Sequence, residues 1–207
     1  MTYIRPISFA ITIILITLWS AIHPYDPTIW WLEALPGLVG VLALLLTFHR
    51  WPLTPVTNLC ILIHFAILLV GAHYTYANVP LFDWLGETFN WGRNNYDKVG
   101  HFAQGFVPAI ISREILIRNQ IINRKPGWLP FLICCICLAI SAFYELIEWW
   151  VAVAMKSVED DFLGTQGYVW DTQSDMLCAL IGAITMLLTL SYIQDRQLTT
   201  LQTSKTK

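Results

Sequence analysis

Six apolar stretches, each close to the roughly 20 residues that a helix needs to cross a hydrocarbon core, dominate this sequence. They are Ile7–Ile22, Ile29–Phe48, Val56–Ala72, Val99–Ile117, Trp128–Ala154 and Asp171–Tyr192. A chain in lipid has no water to satisfy its backbone N–H and C=O groups, so such stretches must become helices. The charge supply agrees. Only 13% of the 207 residues are charged, and mean hydropathy is +0.56. That is too few charges to cover a soluble globule of this size. A net charge of −2 leaves no basic footprint for nucleic acid. The expected fold is all-α, a polytopic membrane protein of six transmembrane helices. The first stretch could be mistaken for a signal peptide. Its end, Trp19-Ser20-Ala21, lacks a small-x-small cleavage pattern, so a retained anchor is expected.

The Lys/Arg bias orients the spans. With the N-terminus cytoplasmic, Arg5, Arg50, Arg113, Arg118, Arg124, Lys125, Arg196, Lys205 and Lys207 fall inside; Arg93, Lys98 and Lys156 fall outside. Both termini are therefore expected inside, in a bacterial inner membrane. The acids show the reverse bias, with only Glu114 and Asp195 of the 14 on the inner side. Residues 1–193 read as one membrane domain, and 194–207 as a polar cytoplasmic tail, solvated and mobile. Segment Leu81–Phe89 reads as a short helix along the interface. Gly164-Thr165-Gln166-Gly167 reads as a capping or re-entrant loop before the last span.

Ionisable groups at span level are costly, and here they are not scattered. Asp97, Lys98, His101 and Gln104 open the fourth span. Glu145 and Glu148, three apart, lie toward the outer end of the fifth. Asp171 and Asp175, four apart, open the sixth. Helical spacing puts each pair on one face, and the topology puts all three ends at one membrane depth. His23, Asp26, Glu33 and His73 are further candidates at that level. Converging carboxylates need a proton, a basic side chain or a metal ion beside them. His101, Glu145, Glu148 and Asp175 would suit a divalent metal. The same groups, with Asp171, would suit acid–base work on a lipid head group, with Asp97 and Lys98 in support.

Plainer roles compete. Asp171 suits a helix N-terminus on dipole grounds alone. Asp97 and Lys98 would serve as a solvated ion pair, and Glu148 beside Trp149 and Trp150 would mark the interface. His64, mid-span, reads as a hydrogen-bonded packing residue. Arg113 and Glu114 read as snorkelling interface charges. Cys60, Cys134, Cys135, Cys137 and Cys178 sit in apolar runs and read as small hydrophobes.

Asn94–Phe106 (NNYDKVGHFAQGF), Phe143–Trp150 (FYELIEWW) and Phe162–Met176 (FLGTQGYVWDTQSDM) resemble the YjdF family of bacterial inner-membrane proteins. The resemblance extends over nearly the whole chain, including His23–Asp26 and Gly71–Trp84. The order Asp-Lys-x-x-His, then Glu at a span end, then Asp-x-x-x-Asp is more distantly similar to the VanZ-like membrane family. The resemblance implies a multi-pass inner-membrane protein and marks Asp97, Lys98, His101, Glu145, Glu148, Asp171 and Asp175. It supplies no reaction. Together these readings point to an outward-facing site that binds or modifies a lipid or lipid-linked envelope substrate with help from a divalent metal. A proton-coupled carrier and a non-catalytic scaffold are the alternatives. The expected partners are the lipid bilayer and a lipid head group, not nucleic acid.

Overall fold

A computed structural model describes residues 6–122, 127–155 and 165–205, and all of its regular structure is helical. The helices are α1 (Pro6–Ala21), α2 (Pro27–Thr47), α3 (Pro55–Tyr74), α4 (Pro80–Phe89), α5 (Tyr96–Arg118), α6 (Trp128–Ala154), α7 (Asp171–Thr189) and α8 (Ser191–Lys205). Proline opens each of the first four, where its missing N–H is no loss and its fixed φ suits a first turn. Asp26 caps α2, its carboxylate accepting from the N–H groups of Thr28 and Ile29 at 2.6 and 3.0 Å. Four helices, α2, α3, α6 and α7, are long and apolar enough to cross a membrane, and α1 is a shorter apolar helix.

The distribution of polarity is inverted relative to a soluble protein. Ile7, Ile14, Leu15, Leu46, Phe143, Trp149 and Leu188 are exposed, while Glu33, His101, Arg113, Glu114, Asp171, Asp175 and Gln194 are buried. Exposed apolar surface on this scale marks contact with lipid. α4 continues the pattern beside the bundle, with Leu81, Trp84 and Phe89 all exposed.

Helices α5 and α3 organise the rest. α5 packs against α3, α6, α7 and α8; α3 also packs against α1 and α2. Phe9, Ile13, Trp30, Ala34, Phe65 and Leu69 form a core among α1, α2 and α3. Ile110, Ile117, Ile133, Ala183, Met186 and Leu198 form a second among α5, α6, α7 and α8. The closest helix pair is α5 and α7. A Cβ on Gly105 would come within 1.7 Å of the Ala179 carbonyl oxygen, and one on Gly182 within 2.1 Å of the Phe102 carbonyl oxygen. Only glycine lets the backbones approach this far.

Each expected stretch coincides with a helix to within a few residues, but only α2, α3, α6 and α7 have the length and apolarity of a spanning helix, and one boundary is corrected. The last apolar stretch does not run to Tyr192: α7 ends at Thr189 and α8 begins at Ser191. The expected solvated tail from Gln194 is instead a helix that packs back on the bundle, with Gln194, Leu198 and Leu201 buried. Its hydrophobic periodicity is weak, because what it buries includes an amide that finds partners only in the folded state.

Those partners correct a second expectation. Arg113 and Glu114 are not snorkelling charges. The Glu114 carboxylate accepts from the Thr54 N–H at 3.0 Å, from the Thr54 and Thr57 hydroxyls at 2.8 Å each and from Arg118 at 2.9 Å. Arg113 donates to Gln194 and Asp195 at 2.9 Å each. Gln194 donates to the Ile110 carbonyl at 2.8 Å. Arg118 also donates to the Pro52 carbonyl at 2.7 Å and lies over the Trp51 ring. This network ties the start of α3, the end of α5 and α8 together. Glu114→Ala strands its donors and is expected to lower unfolding free energy by about 3–5 kcal/mol. Gly105→Ala or Gly182→Ala drives a methyl into a carbonyl and should lower the melting temperature in detergent by about 5 °C or more. Gly40, whose Cβ would meet nothing within 4 Å, should accept alanine with little change in the same scan.

Candidate functional site

The glycine contact between α5 and α7 brings their first turns side by side, and the polar residues of both follow. Lys98 Nζ donates to Asp171 at 2.7 Å and to Asp175 at 2.6 Å. Arg93, just ahead of α5, donates to the same Asp171 oxygen at 2.7 Å. The loop after residue 164 closes over this end. Gln166 accepts from the Asn94 N–H and donates to the Asn94 carbonyl, each at 2.9 Å. Arg93 also donates to the Thr165 carbonyl at 3.3 Å. Gln166 and Gly167 reach this position through positive φ. Gly164, the first residue of the expected capping loop, lies outside the described residues.

One turn deeper, His101 Nε2 lies 3.3 Å from Asp97 Oδ1 and 3.9 Å from Asp175 Oδ2. Its Nδ1 is 3.1 Å from Gln104 Oε1, an atom that can only accept. With the proton on Nδ1 that contact is a hydrogen bond, and Nε2 faces two carboxylates. That nitrogen needs either a second proton or a cation between it and the acids. Asp97, His101 and Asp175 each offer one donor atom within 4.8 Å of the others, a group that could hold a metal ion. Glu145 Oε1 is 3.8 Å from His101 Nδ1, buried and without a hydrogen bond. Of the sequence-marked residues, Asp97, Lys98, His101, Asp171 and Asp175 thus form one contiguous cluster, Glu145 borders it, and Glu148 faces a cavity beside it. Asp26, His73 and His23 separate from it. Asp26 caps α2, and His73 Nδ1 lies 3.0 Å from the Ser20 carbonyl with its ring stacked on Trp19. His23 stands in the turn between α1 and α2 with positive φ.

The cavity, of about 550 Å³, lies between the two cores and is lined by α2, α3, α5 and α6. Its polar end holds Glu33, Asp97, His101 and Glu148; its walls farther along are Leu44, Phe65, Leu68 and Ile111. Pro36, Gly40 and Ala43 of α2 and Ile140 of α6 line it while exposed on the bundle perimeter, so it opens sideways where lipid would be. His64 also lines it, and its buried Nε2 has no hydrogen-bond partner, unlike the packing residue expected. Two tyrosines flank the polar end. Tyr76 wedges between α3 and α5, where Cβ atoms on Gly71 and Gly100 would fall 2.2 and 2.9 Å from its ring. Burial pushes the Tyr76 phenol up, which keeps it a neutral hydroxyl. Tyr144 comes from α6. Neither tyrosine, nor Arg93 as an Asp171 partner, carries a spacing signal in the sequence; only the α3–α5 and α5–α7 contacts bring them in.

An apolar perimeter, a polar interior and a cluster at one end of the bundle define a polytopic helical membrane protein. The chain belongs to the family described as predicted membrane protein DUF2238, whose pattern covers residues 6–196. It is 49% identical over 189 residues to the inner membrane protein YjdF of Escherichia coli (strain K12), covering 91% of this chain and 90% of that one. No solved structure matches the chain. These matches bear on the YjdF resemblance and not on the VanZ-like one.

Removing the central cation of the cluster tests its electrostatics. Lys98→Met leaves Asp171 and Asp175 facing each other and should cost about 3 kcal/mol of stability. Adding Asp175→Asn should recover part of that loss, read as a coupling energy in a double-mutant cycle of thermal unfolding.

Proposed function

We propose that this protein binds the polar end of a lipid or lipid-linked envelope substrate at an outward-facing His/carboxylate site, and that a divalent metal ion assists there. The observation that carries the reading is the cavity. It joins Asp97, His101 and Glu148 to apolar walls and opens on the lipid-facing perimeter. A polar site alone suits a soluble ligand. A polar site continuous with an apolar, laterally open space suits an amphiphile.

In this reading α1, α2, α3, α5, α6 and α7 cross the inner membrane, and α4 lies along the outer interface. With its 23 residues α5 spans about 35 Å, enough to cross, and its charged residues are tolerated because they face protein and cavity rather than lipid. The Lys/Arg bias sets both termini on the cytoplasmic side, so α8 and the Glu114 network lie inside. Residues 1–193 form the membrane domain, and the tail from 194 docks on its inner end.

Asp97, His101 and Asp175 would hold the metal ion, each offering one donor atom. Gln104, bound to the other ring nitrogen, fixes the tautomer, the usual device of a metal-ligating histidine. Two carboxylates and one imidazole suit zinc, manganese or iron(II). Glu145 lies beside His101, and Glu148, which faces the cavity, would be the acid–base group toward a bound head group. Asp171, pinned by Arg93 and Lys98, positions Lys98 and through it Asp175. Metal analysis of purified protein tests this assignment. Close to one divalent ion per chain is expected, falling about tenfold or more in His101→Ala. Metal at trace level in wild type, unchanged by that variant, would remove the metal from the reading.

A further inference from the structure

The carboxyl groups at the His101 end fall into two sets with different counter-charges. Asp171 and Asp175 are held by Arg93 and Lys98 at 2.6–2.7 Å. Glu33, Asp97 and Glu148 instead line the cavity, and among the described residues no Lys or Arg lines it. Asp97 is served by His101 at 3.3 Å and, more loosely, by Lys98 at 3.7 Å. Glu33 is different. It is 5% exposed, it stands on α2, across the cavity from the cluster, and its Oε2 has no hydrogen-bond partner.

Glu114 shows how this fold treats a buried glutamate with a structural task. Two threonines, an arginine and a backbone N–H surround it. Glu33 has no such shell and borders the cavity instead. A buried carboxyl with an unmet oxygen must keep its proton or meet a cation. Tyr76 and Tyr144 line the same end of the cavity, and aromatic faces attract ammonium groups. The apolar walls begin one turn farther in, at Gly37, Phe65 and Leu68.

We infer that the cavity selects an amphiphile with an ammonium head group, and that Glu33 is the residue that recognises it. Glu33 and Glu148 accept the ammonium N–H groups from α2 and α6. Tyr76 and Tyr144 flank the charge. The acyl chain lies along α2 and α3 and leaves sideways past Gly40. This rests on reading the cavity as a lipid site and adds the chemistry of the head group.

The test uses the full chain reconstituted with equimolar phosphatidylethanolamine and phosphatidylglycerol of identical acyl chains, with retained lipid counted by native mass spectrometry. Wild type should retain the ethanolamine lipid about tenfold over the glycerol lipid, the scale of one charge-assisted hydrogen bond. Glu33→Gln should bring the two within about twofold without lowering total retained lipid, and Glu148→Gln should reduce the preference in the same direction. Gly40→Phe, which fills the cavity from a position with no neighbour within 4 Å, should abolish retention of both lipids. A wild-type protein with no head-group preference, or one favouring phosphatidylglycerol, overturns the inference. So does a preference that survives in Glu33→Gln. If Glu33→Gln does not fold, the wild-type preference and Glu148→Gln decide alone. Undiminished retention in Gly40→Phe overturns the cavity reading itself. Loss of lipid in Gly40→Phe without head-group preference in wild type overturns only the head-group inference.

Discussion

The close approach of α5 and α7 is the constraint on which the rest depends. Two glycines, Gly105 and Gly182, each face a carbonyl of the other helix at a distance that a Cβ would make impossible. In lipid there is no hydrophobic force between helices, so association rests on such backbone proximity and on polar contacts. Here the first creates the second. Once the two helices lie this close and parallel, Lys98 reaches both Asp171 and Asp175, and His101 reaches between Asp97 and Asp175. The cluster is thus a consequence of packing one or two turns below it.

The bundle carries polar networks at both ends, and they are built differently. At the Glu114 end, donors and acceptors close on each other: arginine on carboxylate, amide on carbonyl, hydroxyls on Glu114. The Glu114 carboxylate itself is thereby fully met, which suits a structural tie. At the His101 end the accounts do not close. Glu33 Oε2 and Glu145 Oε1 there, and His64 Nε2 at mid-span, are buried without hydrogen bonds, and acids outnumber bases around His101. Glu33 and His64 line the same cavity as Asp97 and His101. Buried groups left unmet by protein are a recurrent mark of a site that meets something else.

Much of the architecture was legible before folding. Hydropathy located the helices because a spanning helix is defined by length and apolar content. Asp97, Lys98, His101, Asp171 and Asp175 were legible as a set because i, i+4 spacing and shared depth are sequence properties. The misreadings have one cause. Arg113, Glu114 and Gln194 look like boundary residues in a linear chain, since nothing local shows that α8 folds back to meet them. His64 looked like a packing residue, and only the gap between α2 and α5 makes it a cavity wall.

By itself, then, the sequence determined the material: an all-helical membrane chain, the depth at which its acids and histidine gather, and the faces they occupy. Those follow from local rules, hydropathy along the chain and 3.6-residue periodicity around it. Tertiary structure decided which carboxylates acquired basic partners and which did not. Asp171 and Asp175 received Arg93 and Lys98; Glu33, a helix away, was left facing the cavity. That division depends on distances of a few ångströms between side chains far apart in sequence, set by the missing Cβ atoms of Gly105 and Gly182, and no local pattern encodes it.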